Sequence, residues 1–301
     1  MRSITRLLLA FTFLLKGFLS NAQNEVFRSA DSLFSAGNFD AASLQYDFVN
    51  YESQSDRKIV VEGLLKKANC LKAQQKYDRI ESLLNRIKID ELNDSLKAIY
   101  YYEKALGNYL SGNFERAEQQ ILPVFNLDSK DQNNKIAACF LYSYILNETG
   151  KWKEAKTFLL DFIGSDENLS STEKKQSILA INDYYSQNKI PRLKSIKKAR
   201  NLSLIFPGTG QFYNHDYWKG LESLSFVSLA GIYIGYNIIN STYITAASAG
   251  VYFFLYFYFG GANQSGILVP TKNYQKKYNY NNYLRTNLTS LHEELSIHQN
   301  E

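Results

Sequence analysis

This chain contains only three histidines and two cysteines, the side chains most often used for proton transfer near neutral pH and for binding transition metals. His215 and Asp216 are adjacent, and Gln211 and Asn214 precede them within about one helical turn. A site at this loop for proton transfer or metal binding is therefore one hypothesis. The other is an exposed histidine–aspartate pair with no chemical role.

Known catalytic motifs do not occur. His292 and His298 belong to no HExxH motif, and neither a phosphate-binding P-loop nor a Ser–His–Asp order is present. Gly208 and Gly210 form a short glycine pair, but no strand-like segment precedes them and no charged phosphate ligand accompanies them. We predict a non-enzymatic protein with no catalytic residue, bound cofactor or metal.

Cys70 and Cys139 lie in apolar, helix-like segments without a CxxC motif or a histidine at ligand spacing. This pattern is typical of buried thiols that pack as small hydrophobic groups.

The basic residues cluster between Lys189 and Arg200. The net charge of the whole chain is only +5, and no basic stripe crosses the remaining residues. This clustering favours a belt beside a membrane over a nucleic-acid-binding surface.

The N-terminus has the three parts of a secretory signal: Arg2 and Arg6, an apolar run from Leu7 to Leu15, and small residues ending at Ala22. We predict a cleaved signal peptide over residues 1–22. An uncleaved membrane anchor is the alternative, although nine apolar residues are short for the ~30 Å hydrocarbon core of a bilayer.

A repeated pattern follows over residues 23–188. A turn residue is followed two positions later by an aromatic residue and three further on by a small or aliphatic one. The turn positions are Gly37, Gln75, Gly112 and Gly150, with a degenerate fifth copy at Asn188. A fixed period of 37 or 38 residues predicts stacked helical hairpins.

The pattern also predicts which faces of the paired helices touch. Small residues lie seven positions before each turn, and apolar residues lie five and nine positions after it, as one helical face requires. These residues are Ala30, Ala68, Ala105 and Ser143 before the turns, then Ala42, Ile80, Ala117 and Ala155, and finally Tyr46, Leu84, Ile121 and Leu159.

This spacing resembles the tetratricopeptide repeat. The period here is longer than the usual 34 residues of that family, and the second copy lacks its glycine. The resemblance implies a solenoid that binds a partner protein on one face. A repeat domain that acts only as a spacer is the alternative.

Residues 221–240 and 243–260 each predict a membrane-spanning helix, since no Asp, Glu, Lys or Arg occurs from Ser223 to Thr271. Only Asn240, Ser241 and Thr242 separate the two, so we predict a transmembrane hairpin within residues 221–264. A buried pair of helices in a soluble protein is the alternative.

Small residues recur at helix spacing on both spans. They are Gly231 and Gly235 on the first span and Ala246 and Gly250 on the second. Such faces allow close contact between helices in lipid. They serve either packing within the hairpin or homo-oligomerisation through it.

Residues 189–220 precede the hairpin as a basic, interfacial segment. We predict an amphipathic helix over 192–206 on the membrane surface and a turn over 207–220. The residues of that turn form the motif Pro207, Gly208, Gly210, Gln211, Tyr213, Asn214, Tyr217, Trp218 and Lys219. Glu222 lies close by and is expected beside Lys219 at the interface.

This motif resembles that of uncharacterised bacterial membrane domains, in which Pro-Gly-x-Gly-Gln-x-Tyr-Asn and Tyr-Trp-Lys precede a two-helix hairpin. The resemblance implies an envelope protein of a Gram-negative bacterium and carries no known activity.

Two signals disagree about orientation. A cleaved signal peptide places the repeats in the periplasm, whereas lysines on both flanks of the hairpin, such as Lys198 and Lys276, favour the cytoplasm. Because export of the first domain precedes insertion of the hairpin, we predict an inner-membrane protein with periplasmic repeats.

Residues 265–301 are expected to form a polar tail that is loose over 273–283. Leu284, Leu288, Leu291 and Leu295 then recur at helix spacing and predict a short amphipathic helix that docks on its own protein.

The sequence as a whole predicts an all-α fold: a solenoid like the tetratricopeptide repeat, followed by a transmembrane hairpin. We expect the repeats to bind a protein partner and the hairpin to contact the lipid bilayer, with no nucleic-acid ligand. The alternatives are a hairpin-centred function, in oligomeric assembly or as a transport accessory, and an enzyme that uses Gln211, Asn214 and His215.

Overall fold

The computed structural model describes residues 26–128, 132–167 and 169–298, and the predicted signal peptide lies outside these ranges. All regular structure in the described residues is helical, as predicted. The chain forms two compact units. The first contains the residues up to Ser186 together with those from Leu284 on, and the second is Gln187–Tyr283.

The first unit consists of helices that pack in sequential pairs. The pairs are α1 (Arg28–Ser35) with α2 (Phe39–Glu52), α3 (Arg57–Ala73) with α4 (Ile80–Leu84), α5 (Asp94–Leu110) with α6 (Phe114–Ile121), and α7 (Gln132–Thr149) with α8 (Trp152–Ser165). Short 3₁₀ turns lie at Tyr77–Arg79, Ile89–Glu91 and Leu122–Asn126, and α9 (Ser171–Tyr184) packs on α8.

The four predicted turn residues all adopt the left-handed conformation. Their φ angles are +78° at Gly37, +60° at Gln75, +83° at Gly112 and +81° at Gly150. In each turn the next amide bonds the carbonyl five residues earlier, as in Lys151 N–H to Leu146 O at 2.8 Å. This is the Schellman arrangement, in which a residue that tolerates positive φ ends the helix.

The twelve predicted packing positions are all buried, from the small residues before each turn to the apolar residues after it. Small side chains such as Ala105 allow the helix backbones of a pair to approach closely, and residues such as Ile121 fill the space beyond.

Asn188 lies in a turn, but the predicted degenerate fifth copy of the repeat does not form there. Asn188 has no positive φ, and no helix follows until Ile196, which belongs to the second unit. Among the described residues, the series of sequential helical pairs therefore ends with α9.

The second unit contains four helical segments and most of a fifth, whose residues from Leu284 on belong to the first unit. They are α10 (Ile196–Ile205), α11 (Thr209–Tyr213), α12 (Tyr217–Ile239), α13 (Tyr243–Thr245) and α14 (Val251–His298), which begins after a π-helical turn at Ala246–Gly250. The predicted turn over 207–220 is thus partly helical. The left-handed Gly208 and the left-handed His215 interrupt it, one on each side of α11.

The predicted loose tail is also wrong, because α14 continues without a break through Pro270 and residues 273–283. Tertiary contacts outweigh the weak local helix preference of this stretch. Asn273 exchanges two hydrogen bonds of 2.8 Å with the backbone of Lys194, and Tyr280 is buried.

The leucine stripe at the end of α14 docks on the first unit, as predicted. Leu284, Leu288, Leu291 and Leu295 are all at most 4% exposed. Thr289 between them lies 3.2 Å from the hydroxyl of Tyr144 on α7.

Candidate functional site

The motif residues occupy a junction of helices in the second unit. Pro207 and Gly208 connect α10 to α11, Asn214 follows α11, and Tyr217 begins α12. The other motif residues divide between two helices: Gly210, Gln211 and Tyr213 lie on α11, and Trp218 and Lys219 lie on α12.

Gln211 connects three parts of this junction. Its side chain is fully buried, and its amide nitrogen donates to the carbonyl of Gly261 on α14 at 2.8 Å. Its amide oxygen accepts from the hydroxyl of Ser203 on α10 at 2.9 Å. The same hydroxyl accepts from the backbone N–H of Gly210 at 2.9 Å. One side chain therefore ties α10, α11 and α14 together.

Asn214 makes a second connection to α14. It is 1% exposed, and its amide nitrogen donates to the carbonyl of Ser265 at 2.7 Å. The Asn214 amide oxygen and the Ser223 hydroxyl are buried, and neither has a hydrogen-bond partner among the described residues. We call the set Ser203, Gln211, Asn214, Ser223, Gly261 and Ser265 the polar junction. Gln211 and Asn214 donate to backbone carbonyls of α14, and the Ser265 hydroxyl donates to the carbonyl of Ala262 in the same helix.

Sequence reasoning identified Gln211 and Asn214 but missed Ser203, Ser223 and Ser265. Their signal was weak, because isolated serines in apolar helices are common and nothing local distinguishes a buried one.

The motif glycines are required by close backbone approach. A Cβ atom at Gly208 would collide with the carbonyl of Gly220, and one at Gly210 with the carbonyl of Ala199. A Cβ at Gly220 would enter the ring of Phe212. Gly208 also has φ +89°, which favours glycine. The motif therefore encodes the tight packing of α10, α11 and α12.

This packing separates the side chains of the hypothetical site for proton transfer or metal binding. His215 is exposed, whereas Gln211 and Asn214 are buried. The three side chains do not face a common surface. Asp216 lies 3.9 Å from Lys219, one turn along α12.

Aromatic and basic motif residues lie around the outside of the junction. The ring of Tyr213 receives the ammonium groups of Lys194 at 5.2 Å and Lys198 at 5.4 Å. Trp218 is 84% exposed and Tyr217 is 61% exposed. Exposed aromatic and lysine side chains of this kind are typical of a membrane–water interface.

The two candidate helix-packing faces differ. Ala246 is buried, and a Cβ at Gly250 would lie 2.7 Å from the side chain of Ile234, so this face packs within the hairpin. Gly231 and Gly235 have open space beside them: apart from the neighbouring residues and backbone of their own helix, no described atom lies within 4 Å of an added Cβ. The interpretation that both faces pack within the hairpin is therefore wrong for α12.

Among the described residues, two helices are long and apolar enough to cross a membrane, Tyr217–Ile239 and the helix that starts at Tyr243. Large apolar side chains are exposed along both, which is unusual for the core helices of a soluble protein. They include Leu229, Ile232, Tyr236, Ile239, Ile244, Tyr252 and Tyr256.

In the first unit the predicted buried thiols are confirmed. Cys70 and Cys139 are free and fully buried, and burial raises the pKa of Cys70 to about 11. Within the described ranges no group of three His, Cys, Asp or Glu side chains is arranged to hold a metal ion.

The docked end of α14 places polar groups in the first unit. Arg285 pairs with Glu148 on α7, and His292 packs on the ring of Phe140 with 4.7 Å between centroids. Burial lowers the pKa of His292 to about 4, so the imidazole is neutral at pH 7.

No curated protein and no solved structure matches this chain. Residues 192–297, about a third of the chain, match a family of unknown function, DUF5683. The matched stretch contains the polar junction and both long apolar helices, so the chain is similar to that family in its second unit and in the docked end of α14.

Proposed function

We propose that this chain is a non-enzymatic scaffold of the bacterial cell envelope, tethered to the inner membrane, whose helical pairs bind a partner protein. The observation that carries the proposal is an exposed apolar stripe on α2, in a chain that also bears an apolar helical hairpin. Leu44, Phe48 and Tyr51 form this stripe and are 72%, 52% and 73% exposed.

The membrane tether rests on α12 and the helix that follows it. At ~1.5 Å per residue, the 23 residues of Tyr217–Ile239 extend ~34 Å, enough for a hydrocarbon core of ~30 Å. Side chains such as Ile239 and Ile244, 83% and 87% exposed, would be stable in lipid and costly in water.

The assignment of the first unit to tetratricopeptide-like repeats is supported by its turns and its packing. Left-handed residues recur at the period seen in the sequence, and small residues such as Ala68 lie at the contact between paired helices. Repeats of this kind commonly bind segments of other proteins.

The stripe on α2 favours a binding role over a spacer. Its three residues follow one helical face, while Ala42 and Tyr46 on the opposite face are buried in the core. An apolar protein segment that covers the stripe would remove these side chains from water.

Crosslinking in native membranes tests this proposal with the full-length chain. Leu44→Gln with Phe48→Gln changes only exposed side chains, so the repeats should stay folded while a crosslinked partner is lost. Leu179→Gln, at a 62% exposed leucine on α9, is the matched control and should retain that partner. Recovery of the same crosslinked proteins from the stripe variant would refute the role of the stripe.

The proposed orientation places the repeats in the periplasm, because the predicted signal peptide would export the first domain. A reporter that is active only in the periplasm, fused after Ser170, should be active. Activity of a cytoplasm-specific reporter at the same site would reverse the orientation and leave the tether unchanged.

A second candidate is a hairpin-centred function through homo-oligomers. The open space beside Gly231 and Gly235 favours it, since a glycine face without an intramolecular neighbour suits a second copy in lipid. Gly231→Leu with Gly235→Leu should then reduce crosslinked dimers in vesicles. An unchanged dimer fraction would exclude this face.

A further inference from the structure

The second unit is strongly basic. Residues 187–283 contain ten Lys and Arg but only two Asp and Glu, a net charge of +8. The rest of the chain contains 24 Lys and Arg against 27 Asp and Glu, a net charge of −3. The excess of Lys and Arg over Asp and Glu therefore comes entirely from the unit with the long apolar helices.

Two distant segments bring these charges together. Asn273 bonds both backbone groups of Lys194 at 2.8 Å, and the ammonium of Lys276 donates to the carbonyl of Arg192 at 3.2 Å. These bonds hold the chain before α10 against α14. Lys194 and Lys198 then share the ring of Tyr213, as described above.

The cluster is not neutralised by the protein. Lys194, Lys197, Lys198, Lys272 and Lys276, here called the basic cluster, form no ion pair with any described residue. Burial, and then the neighbouring charges of Lys276 and Lys272, lower the pKa of Lys194. Such mutual repulsion is relieved when an anion binds.

A groove along α10 continues from the cluster. It is lined at one end by Ser195, Lys197 and Lys198, and at the other by Leu202 and Ile205. Ile205 is 81% exposed, and Phe206 beside it is 54% exposed. The groove therefore changes from cationic to apolar over the length of one short helix.

We propose that the basic cluster and this groove bind an anionic phospholipid, with its phosphate on the lysines and an acyl chain along Leu202 and Ile205. The site rests on the membrane tether proposed above. A free phosphate would use only the cationic end, whereas a phospholipid matches both ends. Clustered lysines beside a membrane hairpin are suited to acidic headgroups.

The test uses the full-length chain in a neutral detergent and short-chain lipid probes, with binding measured by titration calorimetry. Dioctanoyl phosphatidylglycerol should bind at least about tenfold more tightly than dioctanoyl phosphatidylcholine. Lys198→Gln with Lys276→Gln should weaken phosphatidylglycerol binding about thirtyfold, since each of the two lysines contributes about 1 kcal/mol near an anionic surface. Lys198→Arg with Lys276→Arg should retain it.

Lys219→Gln is the control, because this lysine lies outside the cluster and near Asp216. It should leave the affinity unchanged. Equal affinity for the two lipids, or no effect of the glutamine pair, would overturn the site. Competition by inorganic phosphate as strong as by the lipid would overturn the lipid assignment.

Carbonate extraction of membranes separates this proposal from the tether. The glutamine variant should stay in the membrane pellet, which would locate any binding defect in the cluster. If the wild-type chain itself were extracted, the tether would fail and the lipid site with it.

Discussion

The ammonium of Lys72 on α3 lies 2.7 Å from the carboxylate of Glu103 on α5, and both side chains are buried. The pair connects the first helices of two successive helical pairs. Neither group can be removed alone without leaving a buried charge unpaired. The contact between the second and third helical pairs therefore depends on a charge match as well as on apolar packing.

Removal of one partner should be strongly destabilising. Glu103→Leu is expected to lower the free energy of unfolding by about 3–5 kcal/mol, because it leaves the Lys72 ammonium buried without its partner. Lys72→Met combined with Glu103→Leu should recover most of that loss. Chemical unfolding followed by circular dichroism measures both. A double variant as unstable as the single one would contradict the interpretation.

Substitutions at two of the left-handed turn residues should change the stability in opposite directions. Gln75 has φ +60° and Gly112 has φ +83°, with open space beside Gly112. Gly112→Ala should cost about 1 kcal/mol of stability through backbone strain alone, and Gln75→Gly should stabilise by about 0.5 kcal/mol. Thermal unfolding midpoints should move in opposite directions. Two shifts of the same sign would argue against left-handed turns at both positions.

The polar junction should be sensitive to loss of Gln211. Gln211→Leu leaves the Ser203 hydroxyl and the Gly261 carbonyl without this partner, which costs about 1–3 kcal/mol. The midpoint of heat-induced aggregation in detergent should fall. Trp218→Phe alters an exposed ring of the same motif and should leave the midpoint unchanged. If Gln211→Leu and Trp218→Phe lowered the midpoint equally, the motif would stabilise the protein through its exposed side chains as much as through the polar junction.

Leucine substitutions on the two small-residue faces of the hairpin should have different effects on its folding. Gly250→Leu places a side chain against Ile234 and should disrupt the packing of α12 on the π-helical turn. Gly231→Leu extends into open space and should leave the fold of the isolated monomer intact. Resistance of the hairpin to proteolysis in detergent is the measurement. Loss of resistance in Gly231→Leu would indicate a neighbour on that face.

Acidification should loosen the docked end of α14. The unfolded chain binds a proton on His292 at about pH 6.5. The folded chain does so only near pH 4, because burial disfavours the imidazolium. The unfolded state thus holds more protons in this interval, so the free energy of unfolding decreases as the pH is lowered, by up to about 3 kcal/mol.

Thermal unfolding between pH 7 and pH 4 measures this dependence. His292→Phe should reduce the slope, whereas His215→Gln, at an exposed position, should keep it. An unchanged slope in His292→Phe would assign the acid sensitivity to other groups.

The sequence by itself determined the helical pairs and the long apolar helices. Both can be recognised from local patterns in the sequence. The helical pairs are marked by a turn residue that permits positive φ, such as Gly112, and by a small residue seven positions before it, such as Ala105. The long apolar helices are marked by the uncharged stretch from Ser223 to Thr271. Helices and their turns form from contacts within a few residues, so spacing along the chain was enough to predict them.

Only the tertiary structure decided what the motif does and where α14 ends. Gln211 reaches Gly261 and Asn273 reaches Lys194, contacts that span 50 and 79 residues. Burial and hydrogen bonding between residues so far apart in the chain depend on which helices pack together, and local sequence patterns do not predict that packing. For the same reason residues 273–283, which have little local helix preference, are part of the continuous helix α14. The two small-residue faces of the hairpin have the same spacing, yet the one at Gly250 contacts Ile234 and the one at Gly231 faces open space.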